Sequence, residues 1–261
     1  MAETVAAASG FHHIALGAVG STNDEAVARA DEGMPLPLWV TADRQLKGRG
    51  RLGAEWASEP GNLYASLVLA LDNPQNLPQL PLVAAVALHD ALSERLAVAA
   101  RHLAIKWPND ILFAGRKISG ILAESHSGNE RSTVAVIGMG VNLAHHPPAT
   151  RYPATDLAGE GVVLGPSDLF ASLDRAMAGR LSEWAGGRAD GFRAIRDAWL
   201  DRVYGLGEPI DVRLQAETIS GLFEGMDEAG RLVLRQRDGQ VRLISAGEVF
   251  FPDHAATGGP D

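Results

Sequence analysis

The chain has 261 residues, 46% of them hydrophobic, and a formal net charge of −9. That length supplies one large domain with a small companion, and the absence of cysteine excludes a disulfide framework, a thiol nucleophile and thiolate zinc sites. The acidic balance argues against a general nucleic-acid binder, no apolar run approaches the length of about 18 residues that a membrane span needs, and Met1 to Gly10 lack the basic segment of a secretory signal. A cytoplasmic enzyme is the expectation.

Ile14-Ala15-Leu16 predicts a short strand ending at Gly20. In Ser21-Thr22-Asn23-Asp24-Glu25 the Thr22/Glu25 spacing predicts a capping box for a helix running to about Gly33. A helix N-terminus with spare hydroxyl and amide groups also suits a polar ligand. Leu38 to Thr41 reads as a strand leading to Gly48-Arg49-Gly50-Arg51-Leu52-Gly53, with Arg44 and Lys47 just before it. Glycine lets backbone approach a ligand closely, and arginine presents a planar fork suited to phosphate. The letters fit GxGxxG, and Asp72 stands at about the right distance for a dinucleotide fingerprint. The helix that fingerprint requires is missing: Pro60-Gly61 breaks the chain, and Asn62 to Leu71 reads as another strand. The segment is therefore a strand-to-strand loop. It carries Arg44, Lys47, Arg49 and Arg51 against Asp43 alone, a local field that draws small anions. Its glycines predict a lid that is poorly ordered until ligand arrives.

Pro74 and Pro78 mark a turn, and Pro81 to Leu96, apolar on nearly every face, predicts a buried helix. Leu103 to Trp107 predicts a strand that stops at Pro108-Asn109-Asp110. A hairpin turning at Ala114-Gly115 follows, with Lys117 to Glu124 alternating on the return. Ser127 to Glu130 turns the chain into a strand, Thr133 to Ile137, closed by a turn at Gly138-Met139-Gly140-Val141-Asn142. Successive hairpins predict a mixed, largely antiparallel sheet with helices over one face. Residues 145–166 read as loop. Ser167 is the expected cap of a helix with the stripe Phe170, Leu173, Met177, Leu181 and Trp184, and a second helix holds Phe192, Ile195, Trp199 and Leu200. Beyond Gly205-Leu206-Gly207, strands at 210–214, 219–226, 232–235 and 241–245 predict a small antiparallel barrel, and His254 to Asp261 a disordered tail. The expected division is a catalytic domain over 1–204, a barrel over 205–252 and a tail over 253–261.

Lysine is scarce: Lys47, Lys106 and Lys117 are the three among 23 basic residues. They mark places that need a compact point charge where a rigid fork will not serve. Polar density gathers in five patches, and in chain order GSTNDEA, GRGRLG, KWPNDI, GRKISGIL and IGMGVNL make the chain resemble the biotin protein ligases from Gly20 to Leu143. The small C-terminal barrel extends the resemblance to about Pro252.

The resemblance implies an α+β fold like the class II aminoacyl-tRNA synthetase catalytic domains, followed by an SH3-like barrel. It implies ATP and biotin as substrates, with Mg²⁺ accompanying ATP. Biotinyl-5′-AMP and pyrophosphate form first, and the biotinyl group then passes to one lysine of a biotin carboxyl carrier protein domain. On this reading the catalytic set is Lys117, bridging biotin carboxylate and α-phosphate, with Arg51, Lys106 and Asp110, the last positioning or deprotonating the acceptor lysine. Biotin is held by Ser21, Thr22, Asn23, Gln45, Arg49, Gly50, Arg51 and Lys117. ATP faces Arg49, Arg51, Trp56, Lys106, Asn109, Asp110, Lys117, Asn142 and the Gly138 and Gly140 backbone. No metal-ligand set is expected, because His12-His13 and His145-His146 lack a third partner at suitable spacing. Two positions depart from the family pattern. Gln45-Leu46-Lys47 stands where Gln-Thr-Ala is frequent, and Ala54 where a basic residue often follows the last glycine, which moves phosphate grip toward Lys47. About twenty residues before Ser21 are too few for a helix-turn-helix, so no DNA binding is expected; exposed sheet edges would allow a homodimer, and the sequence does not fix the oligomeric state. The alternatives are a lipoate or octanoate protein ligase, disfavoured by GRGRLG, and a non-catalytic biotin or nucleotide sensor, disfavoured by the retained lysines.

Overall fold

The computed structural model describes residues 4–7, 9–127, 133–148, 150, 152–184 and 190–252. Eight strands form the main sheet: β1 (Thr4–Ala6), β2 (His12–Val19), β3 (Leu38–Gln45), β4 (Leu63–Ala70), β5 (Leu103–Lys106), β6 (Asp110–Phe113), β7 (Arg116–Ser127) and β8 (Thr133–Val141). Their spatial order is β1-β2-β3-β4-β8-β7-β6-β5. β2 and β3 are parallel and all other neighbours antiparallel. A parallel pair needs a crossover, and α1 (Thr22–Asp31) supplies it.

Helices cover both faces of this sheet, where the sequence pointed to one. α1 packs with Ile14, Leu38, Val40, Val68, Val134 and Val136. On the opposite face α2 (Leu80–Leu96), α3 (Pro166–Trp184) and α4 (Gly191–Leu200) pack with Trp39, Leu67 and Ile137. Strand alternation explains the split, since Leu38 and Val40 point one way and Trp39 between them the other. α2 is apolar nearly all round because α3 and α4 cover the side away from the sheet; truncating its fully buried Leu88 to Ala costs about 2–5 kcal/mol. One buried carboxylate interrupts this layer. Asp174 on α3 accepts hydrogen bonds from Trp39 Nε1 (3.0 Å), Ser9 N (2.8 Å) and Ser9 Oγ (2.5 Å), which tethers Ser9 to the core.

The C-terminal strands are β9 (Pro209–Arg213), β10 (Thr218–Met226), β11 (Leu232–Arg235), β12 (Val241–Ile244) and β13 (Glu248–Phe250). They form an antiparallel sheet in the order β12-β11-β10-β9-β13, open at β12 and β13. Where a small antiparallel barrel was expected, the described residues form a five-stranded antiparallel sheet with no pairing between β12 and β13, and β13 is a strand the sequence pattern did not reveal. This sheet rests on the helical layer: a Cβ at Gly230 would come within 2.7 Å of Leu82 Cδ1, and one apolar cluster runs from α2 to Val212, Phe223 and Leu234. Residues 202–204 run beside β5, with Ile105 N donating to Arg202 O and Tyr204 N to Ile105 O, both at 2.8 Å. They cover that edge of the main sheet, so an exposed-edge argument for a dimer does not apply there.

Local chemistry departs from expectation at three places. Thr22 Oγ1 donates to Gln45 Oε1, and Ser21, the N-cap, makes no side-chain cap, so there is no capping box. The expected turn at Gly138 to Asn142 is the last half of β8 up to Val141. α3 begins at Pro166, which puts Ser167 inside its first turn. The hairpin turn is as expected, with Ala114 and Gly115 at φ 49° and 76°. Residues 128–130 of the expected turn, and the tail from 253, lie outside the described residues.

Candidate active site

Two cross-strand rows on the α1 face of the sheet build the site. Alternate residues of each strand share a face, so a row is fixed by register. One row runs Tyr64, Gly140, Gly120, Asp110, Lys106 through β4, β8, β7, β6 and β5, and the next runs Ser66, Gly138, Leu122. Glycines fall where something must lie against the sheet. A Cβ on Gly138 would sit 2.4 Å from Asn23 Oδ1, and one on Gly140 2.3 Å from Trp56 Nε1.

Lys117 reaches this face through an irregularity. In regular β-pairing Lys117 and Gly120, three residues apart, would point to opposite faces. The register shifts between Ile111 and Leu112, whose partners are Ser119 and Lys117, leaving Ile118 as the extra residue of a bulge. The bulge turns Lys117 inward, with Nζ 3.3 Å from where a Gly120 Cβ would stand. Nζ lies 2.6 Å from Asp110 Oδ1. That is an ion-pair distance without hydrogen-bond alignment, and Oδ1 makes no hydrogen bond.

Lys106, register partner of Asp110, is buried under the Tyr152 ring, with Nζ 4.0 Å from its centroid. Burial brings its pKa down to about 8; Asp110 and Glu248 oppose that shift and Lys117 adds to it.

At the other end of the cavity a polar network fixes the side chains of the first helical turn. Gln45 Oε1 accepts from Thr22 N (2.8 Å) and Thr22 Oγ1 (2.9 Å), so its amide nitrogen faces Ser58 Oγ at 3.1 Å. Ser66 Oγ donates to Asn23 Oδ1 (2.7 Å), and Asn23 Nδ2 donates to Glu124 Oε2 (2.7 Å). Both amides are thereby oriented.

The two arginines of the glycine loop have partners on opposite sides of the cavity. Arg49 pairs with Asp24 through two bonds of 2.6 and 2.9 Å, and these hold the Asp24 carboxyl below its usual range. Arg51 Nη1 donates to Asn109 Oδ1 (3.2 Å) and to Gly247 O (3.3 Å) in the C-terminal segment. Trp56 lies across Gly140 and Gly120, its ring centroid 5.5 Å from Lys117 Nζ and its buried indole N–H without a hydrogen bond.

These elements enclose a cavity of about 760 Å³. Ser21, Thr22, Asn23, Gln45, Arg49, Gly50, Arg51, Trp56, Lys106, Asn109, Asp110, Lys117, Gly138, Gly140 and Asn142, drawn from segments far apart in the chain, all line it. Some have other engagements as well. Asn142 Nδ2 donates to Thr155 O (3.2 Å) and Asn109 Nδ2 to Ile121 O (2.5 Å), so both also hold backbone. Lys47, to which phosphate grip was assigned, is not among the lining residues. Sequence reasoning missed Ser66, Glu124, Tyr152 and the segment Gly247 to Val249. Ser66 had a signal, the one polar residue in the run Ala65 to Leu71; Tyr152 lay in a loop without periodicity. Among the described residues no three His, Asp or Glu side chains gather as a metal site, and no helix is long and apolar enough to cross a membrane.

Residues 21–142 match the biotin/lipoate A/B protein ligase family, and residues 205–251 match the biotin protein ligase C-terminal domain. The biotin–[acetyl-CoA-carboxylase] ligase of Paracoccus denitrificans is 42% identical over 243 residues, covering 88% of this chain and 97% of that protein. The corresponding ligase of Mycobacterium tuberculosis is 31% identical over 260 residues, covering 95% and 92%. Among solved structures, the biotin protein ligase of Aquifex aeolicus in complex with biotin and ATP superposes with a TM-score of 0.76 at 28% identity, covering 91% of this chain and 97% of that one. With its site laid out on those rows and its sequence matched over nearly the whole length, the chain belongs to the biotin protein ligase family.

Proposed function

We propose that this protein activates biotin with ATP as biotinyl-5′-AMP, releasing pyrophosphate, and transfers the biotinyl group to a lysine of a biotin carboxyl carrier protein domain. The observation that carries the reading is the gathering of Lys106, Asp110 and Lys117 at one end of a cavity whose other end is lined by oriented amides and hydroxyls.

A carboxylate becomes an electrophile only when joined to a good leaving group, and attacking the α-phosphate brings several negative charges together. Lys117 neutralises charge where carboxylate and phosphate meet, a kind of contribution worth about 3–4 kcal/mol in the transition state. Lys106 and Arg51 serve phosphate. Arg49 joins them once it leaves Asp24, and Mg²⁺ arrives with ATP. Thr22, Asn23 and Gln45 serve the ureido ring of biotin, with Ser66 and Glu124 holding the Asn23 amide in register and Ser58 that of Gln45. Trp56 and the loop exclude water from the acyl-adenylate; on β8, Gly140 beside Trp56 serves the nucleotide and Gly138 beside Asn23 the biotin end. Asp110 positions the acceptor amine and takes its proton.

We read the main sheet as the class II synthetase-like catalytic domain, ending near 204, and the C-terminal strands as an opened SH3-like module, with the reducing cytoplasm as the setting. The exchange of labelled pyrophosphate into ATP tests the reading: it is expected with biotin and not with lipoate or octanoate. Exchange with lipoate alone makes the protein a lipoate ligase, and binding without exchange makes it a sensor.

A further inference from the structure

A second cavity of about 320 Å³ shares Lys106, Asp110, Lys117 and Tyr152 with the first. It lies between the main sheet and the C-terminal sheet. Gly115, Pro153, Arg213, Thr218 and Pro252 form its exposed rim, while Leu112, Lys106 and Asp110 are buried at its inner end. Tyr204, Phe250 and Phe251 contribute aromatic surface between rim and floor. Asp211 also lines it, and the Arg213 guanidinium lies over the Phe250 ring, 4.8 Å from its centroid. The nucleotide and biotin enter the larger cavity, so nothing in their chemistry accounts for a second route to the same three charged groups.

We propose that this second cavity is the passage through which the carrier domain's acceptor lysine reaches the acyl-adenylate. The inference rests on the function proposed above. A lysine side chain is an apolar four-carbon stem with an amine at its tip. Aromatic and proline walls suit the stem, and Asp110 at the floor suits the tip. The tip arrives as an ammonium, which is not a nucleophile. The floor favours loss of that proton: burial lowers an amine's pKa there and Lys117 adds to it, outweighing Asp110 and Glu248, a balance that brings Lys106 down to about 8. The ammonium loses one proton to water on entry. The neutral nitrogen then forms the new C–N bond at the acyl carbon, the bond from that carbon to the phosphate oxygen breaks with its electron pair leaving on AMP, and the second proton passes to the Asp110 carboxylate.

Thr218 provides the test. It is exposed on the rim at the start of β10, opposite Arg213, and has no part in the larger cavity. Thr218→Trp narrows the passage, and Thr218→Ala is the control. With purified carrier domain as acceptor, Thr218→Trp is expected to keep biotin-dependent pyrophosphate exchange within twofold of wild type while single-turnover transfer to the carrier slows at least tenfold; Thr218→Ala changes neither. Retained exchange shows that the protein is folded and makes the intermediate. Unchanged transfer in Thr218→Trp overturns the proposal, and so does a parallel loss of exchange and transfer, which would assign the cavity to the first half-reaction. If wild type lacks exchange with biotin, the proposed function fails and not the passage alone.

Discussion

Lys117 Nζ and Asp110 Oδ1 stand 2.6 Å apart on neighbouring strands, brought together by a bulge at Ile118. The pair joins the group proposed to stabilise charge in adenylation to the group proposed to serve transfer, so each substitution should separate the two half-reactions. Lys117→Ala is expected to lower exchange by at least a hundredfold with a thermal midpoint within a few degrees of wild type, since the side chain is partly exposed. Exchange near wild-type rate would remove Lys117 from the mechanism.

Asp110→Asn should leave exchange within tenfold and slow transfer by about a hundredfold or more, the range of a general base. The readout is single-turnover transfer from preformed adenylate across pH 6 to 9. An equal loss in both half-reactions would limit Asp110 to holding Lys117.

The depressed pKa of Lys106 gives a signed prediction. A lysine titrating near 8 when folded and near 10.5 when unfolded binds fewer protons in the folded state between those values, so its penalty is full below pH 8 and relieved as pH rises toward 10.5. Lys106→Met should therefore be more stable than wild type at pH 7 by about 2–3 kcal/mol, with the gap closing toward pH 10, while exchange is lost. Urea midpoints at pH 7 and pH 10 check this; a pH-independent gap would contradict it.

The glycines of β8 divide the cavity. A methyl at Gly138 presses on Asn23 and one at Gly140 on Trp56. Gly138→Ala is expected to raise KM for biotin about tenfold or more with little effect on ATP, and Gly140→Ala the reverse. Steady-state exchange with each substrate varied in turn distinguishes the two, and the opposite pattern would reverse the proposed ends of the site.

Arg49 and Asp24 form an exposed pair worth less than about 1 kcal/mol to stability. Asp24→Ala frees the arginine for ligand phosphate, so KM for ATP should fall a fewfold with the melting curve unchanged. A raised KM would show that the pair supports the site instead of holding its arginine in reserve.

The sequence announced the local elements and the lining of the cavity because both are written in contiguous patterns. The apolar helix Pro81 to Leu96 and the alternation of Lys117 to Glu124 each carry their own signal, and the clustered polar motifs hold residues that line the cavity. What stayed hidden depends on register between distant strands. The bulge that turns Lys117 inward, the continuation of β8 through Gly138 and Gly140, and the seat of Tyr152 on Lys106 follow from pairings that no single segment encodes. Thr22 misled for a related reason: its hydroxyl would suit a capping box, but Gln45, 23 residues away, offers a better placed acceptor. The place of β13 was hidden for the same reason: its three residues carry no pattern of their own and are fixed by pairing with β9.

Intact-mass measurement of a purified carrier domain incubated with ATP, Mg²⁺, biotin and this protein tests the account most directly. One added biotinyl group, on one lysine and dependent on ATP, is the predicted result; an unmodified carrier, or modification only when lipoate or octanoate replaces biotin, would contradict it.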